Sequence, residues 1–319
     1  MYIQVAPYAN SYRKAPRNAA NAQERHLHRE GWVATYNYEL DSGCYWLLLW
    51  ETLGSPERYS STMRLLVDLW SREPTYEYPE VTKRMRHVNQ SSGLIWSAFR
   101  PSDDPVRYGY HVPSQFFVLR VLRSEPYGEA LVRRVSRGLG EHAVQNGRYC
   151  YEIDGFGGCC EMDDANVPSL LSLPLHAEGE YDEAIYETTR AWILSSKNPY
   201  YFEGKYGKGV GSPHTPKGYI WPMAQIVAGV ELASLHEMSL QWPRGFVESY
   251  DANNPKRFTR GWFIWPNALY HAQQAKLRAV SAKPAKPPAK PPAKPPAKPP
   301  AKHIDVSAVQ TGLSKNSAF

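Results

Sequence analysis

Residues 92–122 read SGLIWSAFRPSDDPVRYGYHVPSQFFVLRVL, a polar loop that runs directly into an apolar helix-forming segment. Pro113 and Ser114 open the helix, which is predicted from Gln115 to Leu122. The same order, a helix followed by a long loop rich in polar and aromatic residues, recurs along the chain. This recurrence decides the predicted fold class.

Apolar residues at helical spacing predict further helices on both sides of this stretch. They span Tyr38–Trp50, Met63–Trp70, Glu129–Leu139, Ser169–Leu175, Tyr181–Ser195, Pro222–Glu237 and Trp262–Ala279. Strand-like alternation is confined to Arg148–Ile153. Long loops in a compact domain are uncommon and often functional. The pattern therefore predicts an all-α fold, and it favours an α/α toroid with long functional loops over a short-looped bundle.

Composition divides the chain into three parts. Residues 1–280 hold the helix and loop patterns and are predicted to form the toroid domain. From 281 to 302 the sequence repeats Lys-Pro-Pro-Ala, and because proline fixes φ and lacks an amide donor, this stretch is predicted to be an extended linker. Residues 303–319 show no periodicity and are predicted to be a disordered tail.

The charge distribution argues against a nucleic-acid partner. The chain has 37 Lys and Arg against 31 Asp and Glu, a net charge of +6. That excess equals the lysines of the repeat, which are Lys283, Lys286, Lys290, Lys294, Lys298 and Lys302. The rest of the chain is neutral and has no basic excess to bind phosphates.

No apolar run of about 18 residues predicts a membrane span, and no leader pattern follows Met1. A soluble protein is expected, whereas compartment and oligomeric state stay open.

The cysteines are Cys44, Cys150, Cys159 and Cys160, and no pair has Cys-x-x-Cys spacing. Neighbouring Cys159 and Cys160 make a poor disulfide or zinc pair. In a chain of this length the pattern is compatible with buried, reduced thiols. It leaves the redox compartment open.

The loop from Ser92 to Tyr110 carries the first candidate catalytic groups. Asp103 and Asp104 are adjacent, lie between two arginines and are surrounded by aromatic residues. The arginines favour an ionised carboxylate, whereas burial among aromatic rings raises a carboxyl pKa and suits a general acid. The alternative is a turn in which an Asp caps the next helix.

The loop from Tyr151 to Leu170 is dense in oxygen-bearing side chains. They are Glu152, Asp154, Glu161, Asp163, Asp164 and Asn166. Such oxygens suit calcium, although the EF-hand spacing is absent. Hydrogen bonding to sugar hydroxyls and capping of the following helix are the alternatives.

Two later loops hold single polar residues among aromatic ones. His214, with Glu203, forms either a polar clamp or a solvated pair, and Glu248 lies shortly before Trp262.

Carboxylates on separate loops, with aromatic side chains around them, meet the needs of glycosidic bond cleavage. In that reaction one carboxyl group protonates the leaving oxygen, and another activates water or attacks carbon. No P-loop, serine-hydrolase or zinc-protease motif indicates a competing chemistry.

Together these stretches resemble glycoside hydrolase family 125, the exo-α-1,6-mannosidases. The matching segments are YELDSGCY (38–45), SGLIWSAFRPSDD (92–104), VPSQFF (112–117), YEIDGFG (151–157), MDDANVPSLLSLP (162–174), NPYYFEG (198–204), GSPHTPKGYIWPMA (211–224) and VESYDANNPKRFTRGWFIWPNALY (247–270). They are long and occur in order from residue 7 to about residue 272.

The resemblance implies an (α/α)6 toroid that removes terminal mannose from α-1,6 linkages with inversion, without a metal or cofactor. It implies a general acid at Asp103 or Asp104, with Asp103 favoured, and a general base at Glu248. Inversion requires their carboxyl groups to lie roughly 6.5–9.5 Å apart. The candidate sugar contacts are Arg100, Asp163, Asn166, His214 and Arg260. The expected partner is an α-mannoside oligosaccharide or N-glycan-type mannan.

The sequence departs from the family near its start. Val5 to Ser11 resembles a segment that family members precede with a Trp-Leu-Arg-Asp-Ser motif of the sugar pocket, and Tyr36-Asn37 stands where members carry Arg-Lys. The toroid is therefore expected to be incomplete at its N-terminus. The alternative to an active enzyme is an inactive fragment or paralogue that retains a mannoside-binding cleft.

Overall fold

The computed structural model describes residues 39–72 and 87–281, with side chains up to 278. The residues described up to 280 belong to one compact unit. The predicted linker, apart from Ser281, and the predicted tail lie outside the described residues, as does the segment 1–38.

Nine α-helices lie in the described ranges. They are α1 Leu40–Thr52, α2 Ser60–Arg72, α3 Val112–Leu122, α4 Glu129–His142, α5 Leu173–His176, α6 Glu183–Ile193, α7 Pro222–Val227, α8 Leu232–Ser239 and α9 Ile264–Ser281. Short 3-10 turns at Glu57–Tyr59 and Pro126–Gly128 precede α2 and α4. The structure is helix-rich, as the spacing of apolar residues predicts.

The prediction of an all-α fold is wrong in one respect, because ten short strands lie within the described loops. They are β1 Tyr110–His111, β2 Val144–Gln145, β3 Arg148–Tyr149, β4 Glu152–Ile153, β5 Cys159–Cys160, β6 Tyr201–Gly204, β7 Gly207–Val210, β8 Tyr219–Ile220, β9 Ser249–Asp251 and β10 Asn254–Thr259. Most contain two to four residues, too few for alternation to show in the sequence. Their ladders satisfy backbone groups that buried loops would otherwise leave unpaired.

The strands form small antiparallel sheets that fix the loops. One sheet has the order β1-β4-β5, and Tyr110 pairs with Ile153 within it. A second has the order β10-β9-β8, and two hairpins pair β2 with β3 and β6 with β7. The first sheet joins the loop of residues 92–110 to the acidic loop after Tyr151, so the two candidate loops are held side by side.

Two predicted helices differ from the observed ones for local reasons. The segment predicted from Pro222 to Glu237 is divided, because Gly229 at φ +80° ends α7 and Val230 N donates to Gln225 O at 3.0 Å. This is a Schellman-type end with glycine in the left-handed region. The segment predicted from Ser169 to Leu175 keeps only one turn of helix, α5. The amides at its start donate to a carboxylate instead of to helix carbonyls.

The core is continuous and lies behind the loops. Helix α1 packs on α3, which also contacts α4 and α5. Trp70, Trp96 and Trp221 are fully buried in it. Gly138 on α4 allows a very close approach, since a Cβ at this position would lie 2.4 Å from Ser92 O. This contact seats the start of the loop 92–110 directly on the helix.

The cysteine prediction is corrected by the structure. Cys150, which lies between β3 and β4, forms a disulfide with Cys159 of β5, and their Cα atoms are 5.5 Å apart. Cys44 is a buried free thiol and Cys160 is a half-buried one. Spacing could not reveal the bond, because the sequence separation of 9 residues is closed by the β4–β5 hairpin.

No helix in the described part of the chain is long and apolar enough to cross a membrane.

Candidate active site

Asp103 and Asp104, the adjacent candidate acids, lie at the tip of a tight turn. Arg100 N donates to Asp104 O at 2.8 Å, and Asp103 N donates to Arg100 O at 3.0 Å. Asp103 adopts φ +63°, a left-handed conformation that Asp tolerates better than most residues. As a result Asp103 is exposed, whereas Asp104 turns inward and is half-buried. The two adjacent acids therefore occupy different environments.

Asp104 is held as a carboxylate by its neighbours. Ser102 Oγ donates to Asp104 Oδ2 at 3.0 Å, and His214 Nδ1 lies 3.8 Å from the same oxygen. Burial by itself raises the pKa of Asp104, but the contacts with His214 and Ser102 and the charge of Arg100 lower it below its ordinary value. A group held in this way is a poor proton donor near neutral pH.

Glu248 is buried just before β9, with 5% of its surface exposed. Its amide donates to Thr259 O and Arg260 O, both at 3.3 Å. Arg260 Nε lies 3.1 Å from Glu248 Oε1, and the largely exposed guanidinium also lies over the Phe263 ring. The β9–β10 pairing thus holds a buried carboxylate next to a cation at the edge of the site.

His214 interacts with acids from two loops, Asp103 and Asp104 on one and Glu248 on the other. The contact with Asp104 raises the pKa of His214 above its ordinary value, and the charges of Glu248 and Asp103 raise it further. Burial lowers this pKa and offsets the rise only in part. Glu203, the partner that the sequence suggested, is exposed on β6. The imidazole, with 33% of its side chain exposed, instead lies among the predicted catalytic carboxylates.

Arg100 is buried and paired with Glu152, whose carboxylate is fully buried. Arg100 Nε lies 2.5 Å from Glu152 Oε1, and Glu152 Oε2 accepts from the amides of Arg107 and Tyr108 at 2.9 and 3.1 Å. The pKa of Arg100 is raised, since the attraction of Glu152 outweighs the burial that lowers it. This ion pair connects the loop from Ser92 to Tyr110, which carries Asp103 and Asp104, with β4. Sequence reasoning placed Glu152 among many acids and assigned it no role.

The neighbouring Asp163 and Asp164 differ in what they contact. Asp163 accepts from the amides of Leu170 and Leu171 at 2.9 and 3.0 Å, and burial raises its pKa to about 8. Its oxygens therefore cap the segment before α5. Capping of the following helix was one of the alternatives that the sequence left open for this loop.

Asp164 instead joins the network that leads to His214. Its Oδ1 accepts from Asn166 Nδ2 at 2.9 Å, and Asn166 Nδ2 also donates to Ser212 Oγ at 3.3 Å. Ser212 Oγ accepts from His214 N at 3.1 Å. Asp164 and Ser212 were absent from the predicted sugar contacts, and their contacts depend on loops that meet only in the folded chain. Within the described residues, no group of three or more acidic, His or Cys side chains has the geometry of a metal site.

A cavity of about 330 Å³ opens beside these residues. Arg100, Asp104, Arg107, Cys160, Met162 and Tyr200 line it, together with Pro105, Val106 and Pro213. Burial raises the pKa of the Cys160 thiol to about 11, so it is a neutral part of the wall. The wall combines cations, a carboxylate and an aromatic ring, a set of groups that suits a polyhydroxylated ligand.

Comparisons with known proteins give one family profile and similar individual proteins. The profile of the family described as metal-independent alpha-mannosidase, glycoside hydrolase family 125, matches residues 69–273. The meiotically up-regulated gene 157 protein of Schizosaccharomyces pombe is 37% identical over 211 residues, which are 57% of this chain and 42% of that protein. The chain thus spans less than half the length of this curated relative.

A solved structure is also similar. It is a Streptococcus pneumoniae protein from the metal-independent alpha mannosidases, in a non-productive substrate complex with alpha-1,6-mannobiose. The TM-score is 0.67 at 28% identity, over 78% of this chain and 71% of that one. With the profile match covering well over half of its length, the chain belongs to glycoside hydrolase family 125, the metal-independent alpha-mannosidases.

Proposed function

We propose that the protein is an inverting exo-α-mannosidase that removes non-reducing terminal α-1,6-linked mannose. The observation that carries the proposal is the contact of His214 Nδ1 with Asp104 Oδ2 at 3.8 Å, which joins the loop of Asp103 to the histidine on which the charge of Glu248 also acts. Two carboxyl groups on separate loops are what inverting glycoside hydrolysis requires.

In this mechanism Asp103 is the general acid. The neighbouring Asp104 is stabilised as an anion by Ser102, His214 and Arg100, which makes it unsuited to donating a proton. Asp103 is exposed at the tip of the turn, where a glycosidic oxygen can reach it. We assign Asp104 the role of orienting His214.

Glu248 is the general base that activates the attacking water. Its burial and its contact with Arg260 at 3.1 Å fix the carboxylate at one position, as directed proton abstraction demands. Arg100, Asn166, His214 and Arg260 are the proposed sugar contacts. Asp163 is the weakest candidate of this set, because two backbone amides occupy its oxygens.

The substrate proposal rests on the similar solved structure. That protein is in complex with alpha-1,6-mannobiose, and its mannosidase family is connected with the processing of N-linked glycans. By extension, we assign this chain an α-mannoside oligosaccharide of the N-glycan type. The helix-rich architecture and the likeness to that structure also support our proposal that residues 1–280 form part of an (α/α)6 toroid, followed by a linker at 281–302 and a tail at 303–319.

A second candidate is a mannoside-binding protein without hydrolytic activity. The supporting observation is the cavity of about 330 Å³, whose polar and aromatic lining suits a sugar but includes neither Asp103 nor Glu248.

One experiment separates the two candidates. The purified full chain is incubated with α-1,6-mannobiose, and proton NMR follows both the release of mannose and the anomer formed first. The enzyme proposal expects β-mannose at first, and it expects Glu248→Gln to abolish release, with exposed Glu237→Gln as the matched control. Binding of mannobiose by calorimetry without any release would establish the second candidate instead.

A further inference from the structure

Glu152 is a buried carboxylate to which the mechanism above gives no part. It lies on β4 and pairs with His111 of β1 on one side and with Cys160 of β5 on the other. The disulfide between Cys150 and Cys159 closes the loop that contains it. Strand pairing on both sides and the disulfide therefore hold this carboxylate at one place in the fold.

The two oxygens of Glu152 hold one side chain and two backbone amides of the loop from Ser92 to Tyr110. Oε1 accepts from Arg100 Nε at 2.5 Å, and Oε2 accepts from the amides of Arg107 and Tyr108 at 2.9 and 3.1 Å. Among the residues that the structure describes, Glu152 is the only one that forms an ion pair with Arg100. One carboxylate thus fixes both the guanidinium and the backbone that follows it.

This arrangement leaves the outer end of the Arg100 guanidinium available. Arg100 Cζ lies over the ring of Tyr151, 5.4 Å from the ring centre. Neither Nη group donates a hydrogen bond to a residue in the described part of the chain. Arg100 is nevertheless buried, and it lines the cavity of about 330 Å³. The two Nη groups are therefore the donors that a ligand in this cavity can use.

We propose that Glu152 is the positioning residue that fixes the Arg100 guanidinium for a sugar bound in this cavity. A guanidinium is planar, so its two Nη groups can donate to two neighbouring hydroxyl oxygens only when the plane is correctly oriented. Glu152 sets the orientation by accepting from Nε, and it does so before a ligand binds, which reduces the entropy lost on binding. The ligand class is a sugar with neighbouring free hydroxyl groups. The identity of that sugar as a mannoside rests on the proposed function.

Calorimetric titration of the full chain with α-1,6-mannobiose tests this role. Glu152→Gln keeps the size of the side chain, but it removes the charge and replaces one acceptor oxygen with a donor NH₂ group. The Kd is expected to rise about 10-fold or more, the order of affinity that hydrogen bonds from a charged donor contribute. The matched control is Glu161→Gln on the same loop, which breaks a partly exposed pair with Arg148 and should leave the Kd unchanged.

A double-mutant cycle distinguishes positioning from a general loss of structure. Arg100→Gln alone should raise the Kd at least as much as Glu152→Gln does. If Glu152 acts through Arg100, adding Glu152→Gln to Arg100→Gln should change the Kd about twofold or less. Circular dichroism gives the folded fraction of each variant, to which its Kd refers. Two effects that multiply independently would overturn the proposal.

A second variant covers the case in which Glu152→Gln does not fold, since that change leaves a buried guanidinium without its counter-charge. Glu152→Asp keeps the charge but is one methylene shorter, so its oxygens are withdrawn from Arg100 Nε and from the two amides. It is also expected to weaken the binding of mannobiose. A Kd equal to that of the unsubstituted chain in either variant would show that Glu152 does not position a sugar contact.

If the chain releases mannose, Glu152→Gln is expected to raise KM while kcat and its pH dependence change little, because a contact made in both the ground and transition states is lost. A lower kcat at unchanged KM would contradict the role in binding. Binding of mannobiose without release refutes hydrolysis, while the Kd values still decide the role of Glu152. A chain that binds no mannobiose refutes the proposed function and the positioning role together, whereas an unchanged Kd in Glu152→Gln refutes the positioning role alone.

Discussion

His214 Nδ1 lies 3.8 Å from Asp104 Oδ2, and the backbone N of the same His214 donates to Ser212 Oγ at 3.1 Å. The first contact reaches the loop from Ser92 to Tyr110, which carries Asp103 and Asp104. The second reaches the loop from Tyr151 to Leu170 through Asn166. The charge of Glu248 acts on the same imidazole from a third loop. One histidine therefore relates three segments that are distant in sequence.

The first prediction concerns stability between about pH 3.8 and 6.5. The folded pKa of His214 is raised above 6.5, so its contribution is complete below 6.5 and is lost as pH rises through the raised value. The folded pKa of Asp104 is lowered below 3.8, so its contribution is present above 3.8 and is lost as pH falls through the lowered value. Because both groups are about one-third exposed, His214→Gln is expected to cost only about 0.2–1 kcal/mol at about pH 5.

Urea unfolding at about pH 5 and at about pH 9 checks this, with exposed His271→Gln as the control. The loss should vanish at the higher pH and should shrink in high salt, since exposed ion pairs are screened. An equal loss at both pH values would show that packing, and not the ion pair, is the cause.

The second prediction distinguishes Asp103 from Asp104. Asp103→Asn is expected to slow hydrolysis of α-1,6-mannobiose by about 10²–10⁴-fold, because general acid catalysis supplies that order of rate. The loss should be largely absent with an aryl α-mannoside whose leaving group needs no protonation. Asp104→Asn should slow both substrates to a similar extent, since it disturbs the position of His214. Steady-state rates with the two substrates decide the matter, and the reverse pattern would make Asp104 the acid.

The third prediction concerns the buried pair of Arg100 and Glu152. Glu152→Gln leaves a buried guanidinium without its counter-charge, which is expected to lower the free energy of unfolding by about 3–5 kcal/mol. The matched control is Glu129→Gln, which breaks the exposed pair with Arg133 and is expected to cost about 1 kcal/mol or less. Denaturant midpoints measure both. A small loss at Glu152 would indicate that Arg100 finds another anion or that water enters.

The fourth prediction concerns the disulfide. Replacing Cys150 by Ser is expected to lower the free energy of unfolding by about 2–3 kcal/mol, the value for closing a short loop. Cys160→Ser, at the neighbouring free thiol, should change it much less. Thiol titration of the denatured chain should find two reactive cysteines before reduction and four after it. Four before reduction would mean that the bond does not form under the conditions used.

Sequence alone determined most of the helices, their order and the loops that hold the candidate residues. Helical spacing is a local property, and for this reason the predicted helices Tyr38–Trp50 and Glu129–Leu139 agree to within a few residues with the observed α1 and α4. The segments that resemble the mannosidase family were also readable without coordinates. Asp103, Asp104, His214 and Glu248 were named from them.

Only the tertiary structure decided what each of these groups contacts. Asp103 and Asp104 are adjacent in sequence, but the left-handed turn exposes one and directs the other to His214. Asp163 and Asp164 are similarly divided between backbone amides and the network of Asn166. A side chain's partners depend on which loops meet in space, and the short strands that bring these loops together are too brief to leave a periodic signal.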